Sequence, residues 1–314
     1  MATERAEKQV LARTQTSIIS LLPAGSEIVA ALGALDMLVA VSHECDYPAY
    51  VNTLPRVTAS AVDRNASSAD IDAAVRELSQ TGLPVFTLDA NDIVRLAPTV
   101  ILTQSLCEVC AASDGDVRDI AHFISPAPMI VALAGTSLDG VWHDIRAVAA
   151  AIGKERDAEA LLEAIAARIR NVHDTLKAAR APRPRVAVIE WLDPIFVAGH
   201  WTPELVTRAG GMDVLAEPGA HSVRVDVEAV RAANPEILLF APCGFDVERA
   251  ERESRVLLAG AAWEWARGLE CWALNGNALT SRPGPRLADA IEVMASVFAP
   301  TLFPPAHHHY ARRL

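Results

Sequence analysis

Four of the five cysteines lie in polar loops that follow apolar segments, and thiolates are ligands for zinc and for iron–sulfur clusters. Cys107 and Cys110 form a C-x-x-C pair, whereas Cys45 and Cys243 lie in two other loops. A C-x-x-C pair can chelate one ion from a tight turn, and two further thiolates would complete a tetrahedral sulfur set. The pattern therefore indicates a zinc or iron–sulfur site. The alternative is a set of reduced thiols, because a single C-x-x-C pair is common.

Two histidines lie in the same kind of loop. His43 lies two residues before Cys45, so one loop could present both side chains to one ion, or direct the imidazole at the metal of a bound chelate. The alternative is a histidine hydrogen-bonded within its own loop. His200 precedes Trp201, and the two rings could cap a planar ligand. The alternative for Trp201 is packing between two lobes.

Polar groups suited to anions follow the first and the last predicted strands. Ser26 and Glu27 are predicted to begin a helix, whose backbone N–H groups could receive an anionic or amide group of a ligand. The alternative is simple N-capping. Arg282-Pro-Gly-Pro-Arg286 is a fixed turn with two guanidinium groups, which suits carboxylate or phosphate. These arginines could instead form ordinary salt bridges.

Covalent catalysis has one compact candidate, Cys45 with His43 or Asp46. Neither an orienting third group nor an oxyanion motif accompanies it, so the sequence favours a binding protein over an enzyme. The G-x-x-x-x-G-K-[ST] motif of ATPases is absent from the sequence, and no G-x-G-x-x-G motif follows the first strand. The ATPase subunit of a transporter is therefore excluded.

Predicted strands and helices alternate along the chain, which is typical of an α/β fold with parallel sheets. Strands are predicted over 16–22, 38–41, 85–88, 100–103 and 129–133, with a helix over 69–80. The second half has predicted strands over 185–190, 237–241 and 272–274, and predicted helices over 203–209 and 285–298. The sequence thus predicts two α/β lobes.

A segment without proline joins the two predicted lobes. Apolar residues recur at helical spacing from Leu161 to Leu176, so we expect a long helix over 139–181 with a break at Gly153. The amino-terminal lobe is then 16–138 and the carboxyl-terminal lobe 182–303. The segments 1–15 and 304–314 are expected to be tails. The second tail contains three consecutive histidines that would bind metal only adventitiously.

The residues whose side chains could bind a ligand or a metal follow predicted strands in both halves. Ligands of open α/β sheets bind beyond the carboxyl ends of strands, because loops and helix N-termini converge there. We therefore expect these loops to line one groove between the lobes.

Composition excludes some partners. The net charge of −11 and pI of about 5.3 argue against nucleic acid. No apolar run approaches the ~20 residues of a membrane span. Because 1–15 lacks the apolar core of a secretory signal, we expect a cytoplasmic protein.

Several motifs resemble, in order and spacing, the cobalamin-binding-protein branch of the periplasmic binding protein family, which serves vitamin B12 and iron–siderophore importers. They are Ser20-Leu-Leu-Pro-Ala-Gly-Ser-Glu27, Ser42-His-Glu-Cys-Asp-Tyr-Pro48, Leu106-Cys-Glu-Val-Cys110, Glu190-Trp-Leu-Asp-Pro194, Ala198-Gly-His-Trp201, Ala241-Pro-Cys-Gly-Phe245 and Ser281-Arg-Pro-Gly-Pro-Arg286. The likeness runs from about Thr16 to Phe303. It implies two Rossmann-like lobes joined by a long backbone helix, the fold of class III substrate-binding proteins.

The resemblance implies a corrinoid or a related metal chelate as ligand and an ABC permease as partner. Two departures are the missing export signal and the cysteine-rich loops. The ligand-binding residues then predicted are Ser26, Glu27, His43, Glu44, Asp46, Tyr47, Glu190, Trp191, His200, Trp201, Phe245, Asn277 and Arg282. Our first hypothesis is a cobalamin-binding protein. The second is a cytosolic zinc or iron–sulfur protein that uses the four cysteines, and the third is an enzyme derived from the fold.

Overall fold

The computed structural model describes residues 16–105 and 114–314. These form two compact units. Unit 1 contains the described residues of Met1–Asp63, Val75–Gly135 and Val141–Leu161, and unit 2 contains Arg64–Ala74, Thr136–Gly140 and Leu162–Leu314. The sequence did not indicate that Arg64–Ala74 would belong to the second unit.

Unit 1 is built on a parallel sheet of four strands in the order β2-β1-β5-β6. These are β1 (Ile18–Ser20), β2 (Leu38–Val41), β5 (Val100–Gln104) and β6 (Met129–Leu133). Ile18 pairs with Leu38 on one side and with Val100 on the other. Because β1 is buried on both faces, its run is continuously apolar up to Ser20.

The predicted strand over 85–88 exists, but the parallel pairing expected for it is wrong. It is β4 (Phe86–Leu88), and it pairs antiparallel with β3 (Thr58–Ser60) in a separate sheet of two strands. A short apolar run indicates a strand without specifying its neighbour, since pairing depends on distant residues.

Helices of unit 1 follow its strands. They are α1 (Pro23–Ala31), α2 (Ser68–Thr81), α3 (Ala90–Leu96), α4 (Asp114–Ala121) and α5 (Leu138–Ile152), of which α2 and α5 begin in segments assigned to unit 2. Short 3₁₀ turns cover Leu35–Met37 and Ala49–Thr53.

The predicted break in the linking helix is confirmed. Helix α5 ends at Ile152, and α6 spans Glu155–Ala179. Gly153 adopts φ +71°, and the N–H of Lys154 donates to the carbonyl of Ala149 (2.8 Å), which is how a left-handed residue closes a helix. Helix α6 is about 38 Å long at ~1.5 Å per residue, and it begins in unit 1 and ends in unit 2.

Unit 2 has a mixed sheet in the order β10-β8-β7-β11-β12-β13, with β9 beside the start of β7. The strands are β7 (Arg185–Leu192), β8 (Ile195–Val197), β9 (Met212–Asp213), β10 (Val223–Arg224), β11 (Ile237–Phe240), β12 (Glu270–Leu274) and β13 (Ala311–Arg313). Strands β7, β11 and β12 run parallel at the centre. Its helices are α7 (Thr202–Arg208), α8 (Val227–Ala232), α9 (Val247–Ala259), α10 (Gly276–Leu279) and α11 (Leu287–Phe298), with a 3₁₀ turn over Ala261–Ala266.

The expectation of a solvated carboxyl-terminal tail is wrong for its last residues. Ala311–Arg313 pairs antiparallel with β12, with Ala311 opposite Leu274, and Ala311 is buried. The strand is too short to show a sequence period, so composition alone suggested a polar end.

A membrane crossing needs a helix that is both long and apolar, and none of the helices within 16–105 and 114–314 meets both conditions.

Candidate functional site

Each unit brings its predicted site residues to the carboxyl edge of its own sheet. In unit 1 the loop 42–48 directly follows β2, whose neighbouring strand β1 is parallel to it. In unit 2 the end of β7, the loop after β11 and the loop after β12 share one edge, because these three strands are parallel. The rule that placed chemistry after strands therefore holds within each unit.

His43 is held by a hydroxyl from β3. Its Nδ1 lies 2.6 Å from Oγ1 of Thr58, and its backbone N–H donates to the same oxygen (2.9 Å). Oγ of Ser42 lies 3.0 Å from that oxygen as well. A hydroxyl has one proton and two lone pairs, so the three contacts use its full capacity. The half-buried imidazole, whose ring also lies beside Phe86, is thus fixed in orientation.

Arg56 supports the loop that carries His43. Its Nη1 donates to the carbonyls of Ser42 (2.8 Å) and Cys45 (2.6 Å), and its Nη2 donates to Oδ1 of Asn52 (3.0 Å). Cys45 itself is 1% exposed. The sequence did not single out Arg56 or Thr58, because both act on residues 11 to 15 positions away that no short motif links to them.

The remaining predicted residues of this loop face outward. Glu44, Asp46 and Tyr47 are exposed, and Tyr47 precedes a cis proline. Side chains at these positions are accessible to a ligand.

Helix α1 begins at Pro23, three residues before Ser26. Pro23 occupies its first turn, so Ser26 lies one turn inside the helix, and its hydroxyl donates to the carbonyl of Pro23 (2.9 Å). Ser26 and Glu27 are both buried. The N–H groups at the helix end are therefore those of Ala24 and Gly25 rather than those predicted. Proline at a first helical position was the signal that would have located this end.

Hydrogen bonds join the loops of unit 2. The N–H of Cys243 donates to the carbonyl of Glu190 (3.0 Å), and the N–H of Asn277 donates to the carbonyl of Phe245 (3.0 Å). Gly276 makes this approach possible, because a Cβ there would lie 2.2 Å from the carbonyl oxygen of Pro242. The predicted residues of three separate loops are therefore neighbours.

Arg282 and Asn277 form a polar pair in this region. Nη2 of Arg282 donates to Oδ1 of Asn277 (2.8 Å), and Arg282 is 5% exposed. Asn277 and Glu190 are half-buried. A guanidinium paired with an amide can bind a carboxylate or amide group of a ligand.

The aromatic residues predicted to bind a ligand in unit 2 mostly pack against other residues of the protein. The ring of Phe245 lies 5.6 Å from that of Trp191, and the guanidinium of Arg249 lies 3.6 Å above it. Phe245 is 2% exposed, so it supports the loop and has little surface for a ligand. Trp191 is half-buried, and its indole N–H donates to the carbonyl of Ser68 (3.2 Å).

Arg249 is a residue that sequence reasoning missed. It pairs with Glu253 (2.6 Å) and donates to the carbonyls of Arg64 and Ala66, so it holds the segment Arg64–Ala74 in unit 2. The contacts span more than 180 positions, and no local pattern could have indicated them.

His200 and Trp201 lie on a tightly held loop. His200 has φ +54°, and its N–H donates to the carbonyl of Ala220 (2.6 Å). Trp201 is 7% exposed and donates its indole N–H to the carbonyl of Thr280 (2.8 Å), so it is a packing residue of unit 2. Burial, with a smaller effect of His221, lowers the pKa of His200 and favours the neutral imidazole.

The four-cysteine site stays a prediction. Cys107 and Cys110 lie outside the described residues. Cys45 is buried in unit 1, and Cys243 is exposed in unit 2. The fifth cysteine, Cys271, lies in β12, where burial raises the pKa of its thiol to about 11.

Comparison with known proteins identifies the family. The family described as periplasmic binding protein matches residues 18–259. The chain belongs to the periplasmic binding protein family. The family match agrees with the prediction of a binding protein rather than an enzyme.

Several members of the periplasmic binding protein family are similar over most of their length. The vitamin B12-binding protein of Vibrio cholerae serotype O1 is 23% identical over 282 residues, which cover 88% of this chain and 86% of the relative. The crystal structure of a periplasmic heme binding protein from Pseudomonas aeruginosa has a TM-score of 0.70 at 19% identity, covering 95% of this chain and 97% of that one.

A periplasmic vitamin B12 binding protein of Vibrio cholerae has a TM-score of 0.61 at 23% identity, covering 90% and 96% of the two chains. The predicted fold, that of class III substrate-binding proteins with two α/β lobes, is confirmed.

Proposed function

We propose that this chain is a substrate-binding protein for a metal chelate of the corrinoid or heme type, which it delivers to an ABC permease. Support comes from the family and from relatives named for vitamin B12 and for heme. Both compounds are large macrocycles with a central metal and polar substituents. A protein that binds either compound needs a side chain that approaches the metal and polar groups that bind the substituents at the edge of the macrocycle.

The observation that carries the proposal is the arrangement of His43. Thr58 engages Nδ1, so a metal would take the Nε2 atom of an imidazole whose orientation is already fixed. Hydrogen bonding at the second nitrogen is the usual way in which a protein orients a histidine ligand. His43 is thereby suited to approach the metal of a bound chelate.

Unit 2 supplies the polar groups in the proposal. Arg282 and Asn277 lie at the carboxyl edge of its sheet and can donate to the propionates of heme or to the amide oxygens of a corrinoid, and Glu190 can accept from the amide N–H groups of a corrinoid. Trp191 is the half-buried aromatic residue that would contact the macrocycle, since Phe245 and Trp201 are buried. The single groove predicted from the sequence stays a prediction.

Titration of the metal-free protein with cyanocobalamin and, separately, with hemin tests the proposal. We expect micromolar or tighter binding of one of them, with weaker binding by His43→Ala. His173→Ala is the matched control, because His173 is exposed on α6. Iron and sulfide in the purified protein, with no binding of either macrocycle, would instead support the cysteine-based hypothesis.

Cellular location is part of the same proposal. The cytoplasmic location expected from the sequence stays a prediction, while two of the similar solved structures are those of periplasmic proteins. Fractionation of the source cells, followed by detection of the intact chain, distinguishes the two locations. Co-purification with a permease would support delivery.

A further inference from the structure

Three consecutive histidines precede the last strand, outside the matched range 18–259. Within 16–105 and 114–314, His307, His308 and His309 are the one group of three whose nitrogen, sulfur or carboxylate donors all lie within 4.8 Å of one another. Their ring centroids are 4.2 to 4.6 Å apart, and all three residues are exposed. The rings therefore form one accessible cluster.

The backbone of this cluster is anchored at each residue. The carbonyl of His307 accepts the N–H of Tyr310 (2.8 Å), and that of His308 accepts Nε of Arg312 (3.1 Å). The carbonyl of His309 accepts Nδ2 of Asn275 (3.1 Å). Because β13 then pairs with β12, the turn is held to the sheet of unit 2.

We propose that the three histidines form a binding site for a divalent transition metal, with zinc, nickel and copper as the class. Imidazole nitrogens suit these ions, and three of them leave a fourth position for water. Nitrogens on one tetrahedral zinc lie about 3.4 Å apart at bonds of ~2.1 Å, so the present spread of up to 4.8 Å must close slightly. Rotation of exposed side chains provides this without moving the anchored backbone.

Metal binding would break one hydrogen bond within the cluster. The N–H of His309 donates to Nδ1 of His307 at 3.3 Å, which is long for such a bond. Metal coordination through that nitrogen would replace a weak interaction with a strong one.

An anchored site and a flexible run of histidines differ in one measurable property. A flexible run binds metal equally well in the folded and unfolded chain, so it leaves stability unchanged. An anchored site favours the folded chain, so the metal raises the Tm, and the rise grows with the logarithm of the metal concentration above the Kd. The effect should arise at β13, which follows the turn directly.

The test uses the full chain after removal of metal with a chelator. We expect zinc chloride to bind at one ion per chain in calorimetry and to raise the Tm. His308→Ala should weaken binding by at least the roughly tenfold that loss of an outer-shell partner costs, and should reduce the Tm shift at each zinc concentration accordingly. His173→Ala, on α6, should behave as the wild type.

Zinc binding without a change in Tm would overturn the proposal, since it would indicate a flexible run. An undiminished Tm shift in His308→Ala would overturn it as well, because zinc would then act elsewhere. Neither outcome depends on binding of cobalamin or hemin.

Discussion

Replacement of Thr58 by valine removes the hydroxyl that orients His43 and keeps nearly the same shape. In the wild type this oxygen accepts the backbone N–H of His43 at 2.9 Å, and it contacts Nδ1 of the same residue at 2.6 Å and Oγ of Ser42 at 3.0 Å. Thr58 is 9% exposed and Ser42 3%, so water cannot easily replace the lost partner. Both stability and ligand binding should therefore fall.

The size of the expected loss in stability of Thr58→Val depends on which polar groups stay buried without a partner. A net hydrogen bond contributes about 0.5–1.5 kcal/mol, and a buried group left without its partner costs about 1–3 kcal/mol. The half-buried ring of His43 can turn toward water, so the main losses are its backbone N–H and the hydroxyl of Ser42. We expect Thr58→Val to lower the free energy of unfolding by about 2–4 kcal/mol.

Urea denaturation measures the loss of stability. Titration with hemin and cyanocobalamin, under conditions where the variant is folded, measures the loss of ligand binding. Loss of an outer-shell partner weakens metal binding by about 10–100-fold, so the affinity for the macrocycle should fall within that range. Thr58→Ser retains the hydroxyl and should bind almost as the wild type does. Wild-type affinity in folded Thr58→Val would refute the role of Thr58 as a positioning residue.

Three further predictions concern unit 2. Gly276→Ala should destabilise the protein by at least about 2 kcal/mol in urea, because its Cβ would lie 2.2 Å from a carbonyl oxygen, whereas Gly260→Ala, at 3.2 Å, should be much milder. Equal costs would contradict this. Because the pKa of His200 is lowered, its contribution to stability is present above about pH 6.5 and is lost as the pH falls. Unfolding measured from about pH 7.5 to 5 should therefore depend more steeply on pH in the wild type than in His200→Asn, and identical slopes would refute this. If the proposed function holds, Arg282→Gln should weaken binding of hemin, which carries two carboxylates, more than binding of cyanocobalamin; equal losses would exclude a contact with carboxylate.

Local patterns predicted the parallel strands and the break between the linking helices. Strand β1 is buried on both faces and so is continuously apolar, and Gly153 is the residue that tolerates a left-handed conformation. The rule that ligand-binding residues follow strands then led to the prediction of His43 and Arg282 as ligand-binding residues. These features depend on residues close in sequence or on the general geometry of parallel sheets.

Other features depend on contacts that no local pattern contains. Arg249 holds Arg64–Ala74 across more than 180 positions, and the same contacts place Phe245 beneath a guanidinium. The sequence predicted Phe245 as a ligand-binding residue but could not show that its ring would be 2% exposed. Strand β3 was missed because its sequence, Thr-Ala-Ser, contains no apolar run that would indicate a strand.

The geometry of loop 42–48 separates the two leading hypotheses within unit 1. A cysteine ligand for zinc or a cluster must bring its sulfur to the ion, yet Cys45 is 1% exposed and Arg56 fixes its carbonyl (2.6 Å). Burial of a thiolate is costly unless a metal already neutralises it. His43, two residues earlier, is half-buried and oriented by Thr58. This loop therefore presents an imidazole more readily than a sulfur, which favours a ligand that brings its own metal.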